Sequence, residues 1–256
     1  MLQSIKSELI KSRKTAANWL VLIGGFFIPL IFIVIQTFYP DDFSSKVFAP
    51  KYFAHLFVKN WESMAFLLLP VGVILATSLM AQLEYRNNTW KQVIASPQSN
   101  VQIYFSKLIV ILIMMAKFFL LFTLGILLAA YLPPMLNGTG DFPNEAFPLK
   151  LYVTQTFLFF IACLPMVGLQ YLVSLKFSNF LVAIGFGLGM VIAALFMIQW
   201  KHGFVFPYSY TMHQFSELRG NKMYPDHINI HLLSIGYFIV FVAAGYIIFI
   251  KQKLRG

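Results

Sequence analysis

Charged residues divide the chain into long apolar runs. Six stretches, approximately Trp19 to Phe38, Ser63 to Leu83, Lys107 to Tyr131, Leu151 to Leu175, Phe177 to Gln199 and His231 to Ile250, hold almost no charge, Lys117 alone interrupting the third. Each has about 20 residues or more, the length a helix needs to cross roughly 30 Å of hydrocarbon. The pattern predicts an all-α integral membrane protein with six transmembrane helices. Ahead of them, Leu2, Ile5 and Leu9 recur at helical spacing opposite Lys6, Arg13 and Lys14. Residues 2–16 therefore read as an amphipathic interfacial elbow, with Trp19 as the anchor behind it. A solvated basic tail is the plainer alternative.

Composition agrees with this layout. Of the 256 residues 59% are hydrophobic and 11% charged, where a soluble domain carries about a quarter charged. Disorder is excluded by the apolar excess, and a disulfide-stapled module by the lone Cys163. The net charge of +10 has a topological origin. With the N-terminus cytoplasmic, the inner segments gather Lys6, Lys11, Arg13, Lys14, Arg86, Lys91, Lys107, Lys176, Lys251, Lys253 and Arg255 against Glu8 and Glu84, whereas bases and acids cancel outside. The positive-inside rule then puts both termini in the cytoplasm, and the basic excess meets anionic membrane lipid with no nucleic-acid partner required. The first apolar run is too long for a cleaved leader and should remain as an anchor. The chain reads as one transmembrane domain, 1–256, with a cytoplasmic elbow at 1–18 and a cytoplasmic loop at 84–102.

The outer segments Tyr39 to Glu62 and Trp200 to His227 are rich in aromatic residues, as expected of chain lying along the outer interface; capping an exit is the functional alternative. Residues 133–148, with Pro133, Pro134, Gly138 and Gly140, read as turn-rich connection. Gly185, Gly187 and Gly189 mark the fifth span as a close-packing helix. Gly-Phe-Gly-Leu-Gly is not a nucleotide loop, and no G-x-x-x-x-G-K-[ST] occurs in the chain.

The inner connection Glu84 to Pro97 is the one long enough to fold. Asn88 or Thr89 is placed to cap a helix of about two turns whose Trp90, Val93 and Ile94 share a face, ending near Ser96 because Pro97 follows. So short a helix cannot bury that face alone, and both the bilayer surface and a groove on a cytoplasmic protein would serve. Glu84, at the inner end of the second span, should be a structural tie to Arg86, Lys91 or a base of the elbow.

The basic elbow, the six spans and Glu84-x-x-x-Asn88-Thr89-Trp90-Lys91-x-x-x-Ala95-x-Pro97 resemble the permease subunits of ABC-2 type exporters. The resemblance is greatest to the lantibiotic-immunity and bacitracin-export branch, whose loop commonly reads E-x-x-x-G-T-W-K, then an apolar stretch and a proline. Phe206-Pro207-Tyr208-Ser209-Tyr210 is also similar to that branch. Asn88 stands where Gly is usual and, next to Gly, tolerates left-handed backbone best. The resemblance implies that residues about 89 to 96, with Thr89, Trp90, Lys91, Val93 and Ile94, are a coupling helix seated on a separate ATPase subunit, and that Glu84 braces the inner helix ends. It further implies ATP and magnesium bound by that partner with no cofactor in this chain, no catalysis here, a second permease subunit, identical or related, and residence in a bacterial inner or plasma membrane.

Three polar groups within the apolar runs, Lys117, Gln155 and Gln170, are candidates for a substrate path, and an amphipathic or lipid-like cargo such as a peptide antibiotic suits the few polar groups available. Gln and Thr equally serve helix packing. Lys117 has two placements. It lies near mid-bilayer if the third helix begins at Lys107, and at the inner headgroups if that helix begins in the cytoplasm. A secondary transporter or channel is the rival class, but none of the nine acids falls inside a span to bind a coupling ion. An intramembrane metalloenzyme is disfavoured too: His227 and His231 are four apart without the glutamate of H-E-x-x-H, and the five histidines fit the outer interface.

Overall fold

A computed structural model describes residues 1–39, 51–83, 98–138, 142–177 and 179–253. The regular structure among these residues is all helical, with no strand. In chain order the helices are α1 (Leu2–Ser12), α2 (Ala16–Phe38), α3 (Tyr52–Ser63), α4 (Leu69–Ala81), α5 (Asn100–Asn137), α6 (Leu149–Lys176), α7 (Phe180–Met197), α8 (Tyr210–Leu218) and α9 (Ile230–Lys253), with a π-helical turn at Met64–Leu68 joining α3 to α4. Six of these units are long and apolar enough to cross a membrane, α3, the π turn and α4 counting as one. Successive spans alternate direction, so the start of α2 and the end of α9 lie at one end of the bundle, here the terminal end. α8 belongs to the far end.

α1 turns Ser4, Glu8 and Ser12 inward, one residue per turn, against α5, while Leu2 and Ile10 are exposed. The face pressed on the bundle is thus the polar one, flanked by Ile5 and Leu9, because Glu8 has a buried partner there (below). Thr15 caps α2, its hydroxyl accepting from the Asn18 amide at 3.4 Å. α2 lies on α5 along a seam of small residues. A Cβ at Gly125 would come within 2.8 Å of Pro29, and one at Gly25 within 3.0 Å of the Leu121 Cβ. The third span is longer than its uncharged core predicts. Ser99 and Gln102 form a reciprocal capping box, so α5 runs for 38 residues from Asn100, seven residues before the expected start at Lys107.

The second span starts earlier than expected as well. Residues 52–62 form a helix of the bundle and do not lie along the interface. Phe53, Phe57 and Trp61, four residues apart, share one buried face, and Trp61 stacks on Phe159 with ring centres 3.6 Å apart and planes 6° from parallel. Glu145, on the connection before α6, caps the start of α3: its carboxylate accepts from the backbone amides of Lys51 at 3.0 Å and Phe53 at 2.9 Å. An anion on free helix N–H groups satisfies donors that the helix itself cannot.

The π turn has a local cause. The Leu69 amide bonds to the Met64 carbonyl five residues back, and Pro70 has no N–H. Between them they leave the Ala65 carbonyl without a helical donor. Thr211 of α8 fills the gap, its hydroxyl donating to Ala65 O at 3.0 Å. Residues 200–227 are accordingly folded into the far end, where Tyr208, Tyr210, Met212, His213 and Phe215 are fully or almost fully buried. The expectation of an interfacial loop with interfacial histidines fails here for His213, whose ring packs edge-on against Tyr224.

Candidate functional site

The chain arrives at and leaves the 84–97 connection through α4 and α5. Residues 84–97 lie outside the described residues, and with them Glu84, Thr89, Trp90, Lys91, Val93 and Ile94.

On the arriving side, Gln82 Nε2 donates to the Phe177 carbonyl at 2.9 Å, tying the end of α4 to the turn between α6 and α7. On the departing side, Lys107 of α5 is 1% exposed. Its ammonium meets Glu8 Oε2 at 2.8 Å, and Lys11 reaches Glu8 Oε1 at 2.6 Å. One carboxylate on the elbow therefore joins a base of its own helix to a base buried in α5. Burial by itself raises the Glu8 carboxyl, yet the charges and hydrogen bonds of Lys107 and Lys11 outweigh it and hold the group below its usual range. Among the described residues a tie between elbow and span thus runs from an elbow acid to a span base, a pairing that the sequence reading did not name. The visible signal was an acid on an otherwise basic amphipathic helix.

Above this frame lies a polar knot. Gln170 of α6 is fully buried. Its amide donates to Ser78 Oγ of α4 at 2.7 Å and to the Ala183 carbonyl of α7 at 2.9 Å, while its oxygen accepts from Tyr208 Oη at 3.3 Å. Ser174 Oγ and Ser78 Oγ are 3.1 Å apart beside it. Gly187 makes room for the amide, since a Cβ there would sit 2.6 Å from Gln170 Oε1. Gly185 and Gly189, on another face of α7, meet nothing within 4 Å. A buried amide with its bonds made across four elements is a brace.

The three polar residues expected along a path do not converge. Gln155 lies fifteen residues from Gln170 on the same helix, about 22 Å away, where its oxygen accepts from Gln214 of α8 at 2.9 Å. Lys117 of α5 donates to Asn18 Oδ1 of α2 at 3.0 Å. Asn18 stands three residues past the cap of α2, so Lys117, although near the middle of the 38-residue α5, sits level with the start of α2.

Among the described residues, no group of three or more His, Cys, Asp or Glu side chains is arranged to hold a metal ion. Residues 4–195 match a family model described as ABC-2 family transporter protein. No curated protein and no solved structure matches the chain.

Proposed function

This chain belongs to the ABC-2 transporter family, and on that premise we propose that it is the permease subunit of an ATP-binding cassette exporter, moving an amphipathic or hydrophobic substrate outward at the expense of ATP hydrolysed by a separate subunit. Proteins of this family are in general the transmembrane, non-catalytic components of such exporters and work with an ABC ATPase. The observation that carries the reading is the family match across residues 4–195 together with six membrane-length helices.

In this reading the terminal end is cytoplasmic, as the distribution of Lys and Arg favours. Residues 89–96 are the coupling helix, with Trp90, Val93 and Ile94 in a groove of the ATPase, Thr89 at its start and Lys91 against acidic residues; Glu84 braces the helix ends beside it. ATP and magnesium stay with the partner. Two permease domains, identical or related, complete the assembly. The loop motif from Glu84 to Pro97 favours the lantibiotic-immunity and bacitracin-export branch, hence a peptide antibiotic or lipid-like cargo and a role in antibiotic resistance. Gln155, half buried near the far end beside Gln214, is the polar group we assign to the path, whereas the bonds of Gln170 suit a brace.

Mild-detergent affinity purification from the native membrane, with mass spectrometry and an ATP hydrolysis assay, tests the reading. A P-loop ATPase at near equal stoichiometry, with hydrolysis, is the expected result. Trp90→Glu should insert normally yet lose that partner, since it puts a charge into an apolar contact. A clean chain without ATPase would overturn the exporter assignment, and partner retention by Trp90→Glu at wild-type yield would overturn the coupling assignment.

A further inference from the structure

Lys117 is half buried and carries three donors, of which the bond to Asn18 uses one. Among the described residues no acid pairs with it. Glu8, the described acid at this end, is engaged by Lys11 and Lys107. Asn18 also fixes the surroundings: its Nδ2 donates to the Arg13 carbonyl at 3.0 Å, holding the turn on which Arg13 and Lys14 are exposed. Trp19, 59% exposed, follows at once. Asn18 thus links Lys117 to the turn that carries Arg13 and Lys14, at the start of α2 and about 4 to 5 Å past its cap.

A narrow apolar crevice with only about 10 Å³ of free interior, lined by no charged side chain, lies between the same helices. Leu20 and Val21 of α2, Gly72 and Val73 of α4, and Met115 and Phe118 of α5 line it. Its residues follow Asn18 directly on α2 and flank Lys117 on α5. Gly72 keeps it open, for a Cβ there would meet nothing within 4 Å. Positive charge at the mouth and hydrocarbon along the slot complement an amphiphile with an anionic head. Basic pockets between transmembrane helices bind such headgroups.

We propose that this seam is a binding site for one anionic phospholipid, its phosphate held by Lys117 and Asn18 with Arg13 and Lys14 at the rim, and one acyl chain lying along the seam over the crevice. A zwitterionic headgroup would bring its own cation against three others, and a free phosphate would leave the crevice unused. The site requires only that the chain sit in a bilayer, so it stands or falls independently of the exporter assignment.

Native mass spectrometry and thermal unfolding of the full chain in neutral detergent test this, with phosphatidylglycerol, phosphatidylcholine and glycerol 3-phosphate as probes. Phosphatidylglycerol should be retained as a single adduct and raise the Tm, and the other two should do neither. Lys117→Gln should weaken retention about fivefold, the weight of one cation beside an anionic lipid, and Lys117→Arg should preserve it. Gly72→Leu fills the slot without touching a charge and should also weaken retention. Its Tm without lipid should match or exceed wild type, because Leu favours helix over Gly, so it decides the matter even if Lys117→Gln folds poorly. Equal retention of phosphatidylcholine, a Tm rise with glycerol 3-phosphate alone, or wild-type retention by Gly72→Leu would overturn the proposal.

Discussion

Glu8 is where acid should be felt first at the terminal end. Its folded pKa is depressed: burial opposes the charge, and Lys107 and Lys11 more than compensate. A depressed carboxyl contributes stability above its unfolded value, near 4.5, and loses it as pH falls through the lower folded value. The Tm in detergent should therefore show no change from this group between about pH 7 and 5 and decline below about pH 4. Glu8→Gln should remove that acid limb. At neutral pH it should cost about 2 kcal/mol, because it removes the carboxylate half of the charged hydrogen bonds from Lys107 and Lys11. A variant with the wild-type acid limb would show that the pair is not formed. Glycines give a second, contrasting expectation. Gly125→Val, forced against Pro29, should destabilise by about 1 to 3 kcal/mol, whereas Gly185→Ala, with open space around it, should leave the melting temperature of the isolated chain unchanged or slightly raised.

Among the elements, the π turn and α8 hold each other. Thr211→Val keeps the shape but removes the donor to Ala65 O, which should cost about 1 kcal/mol and speed amide hydrogen exchange in α8 and residues 64–68 more than in α6. Uniform exchange rates would show that the bond does not hold them. The spans themselves were legible because hydrocarbon thickness imposes a length, and an uncharged run of that length has few other uses. The ends of the second and third spans were not, each for a physical reason. Phe53, Phe57 and Trp61 have the composition of an interfacial belt, and only their four-residue spacing, a helix-face signal, distinguishes a buried stack from it. Lys107 looked like a boundary because a charge usually is one, but Glu8 satisfies it from 99 residues away, while the Ser99 and Gln102 box that marks the true start was there to be read. The candidate site divides similarly. Lys117 was conspicuous as a lone cation, yet its contact with Asn18 is one that no local pattern encodes.

Across the whole molecule, the alternation of spans makes a labelling prediction. Cys163 is fully buried, so the unmodified chain should resist an impermeant maleimide. Lys6→Cys and Lys251→Cys should then label from one side of intact vesicles, and Lys201→Cys and Lys222→Cys from the other; mixed labelling of the first pair would break the six-span topology. Within that topology the two helices flanking residues 84–97 differ mechanically. α5 is one continuous rod of about 57 Å, capped at its foot and clamped there to the elbow. The helix on the other side has a joint in it, where the ladder skips from Leu69 to Met64 and a threonine from elsewhere closes the gap. A load applied at the shared foot would pass undiminished along the strut, while its neighbour would yield at the joint, so a symmetrical push would become an asymmetrical displacement at the far end.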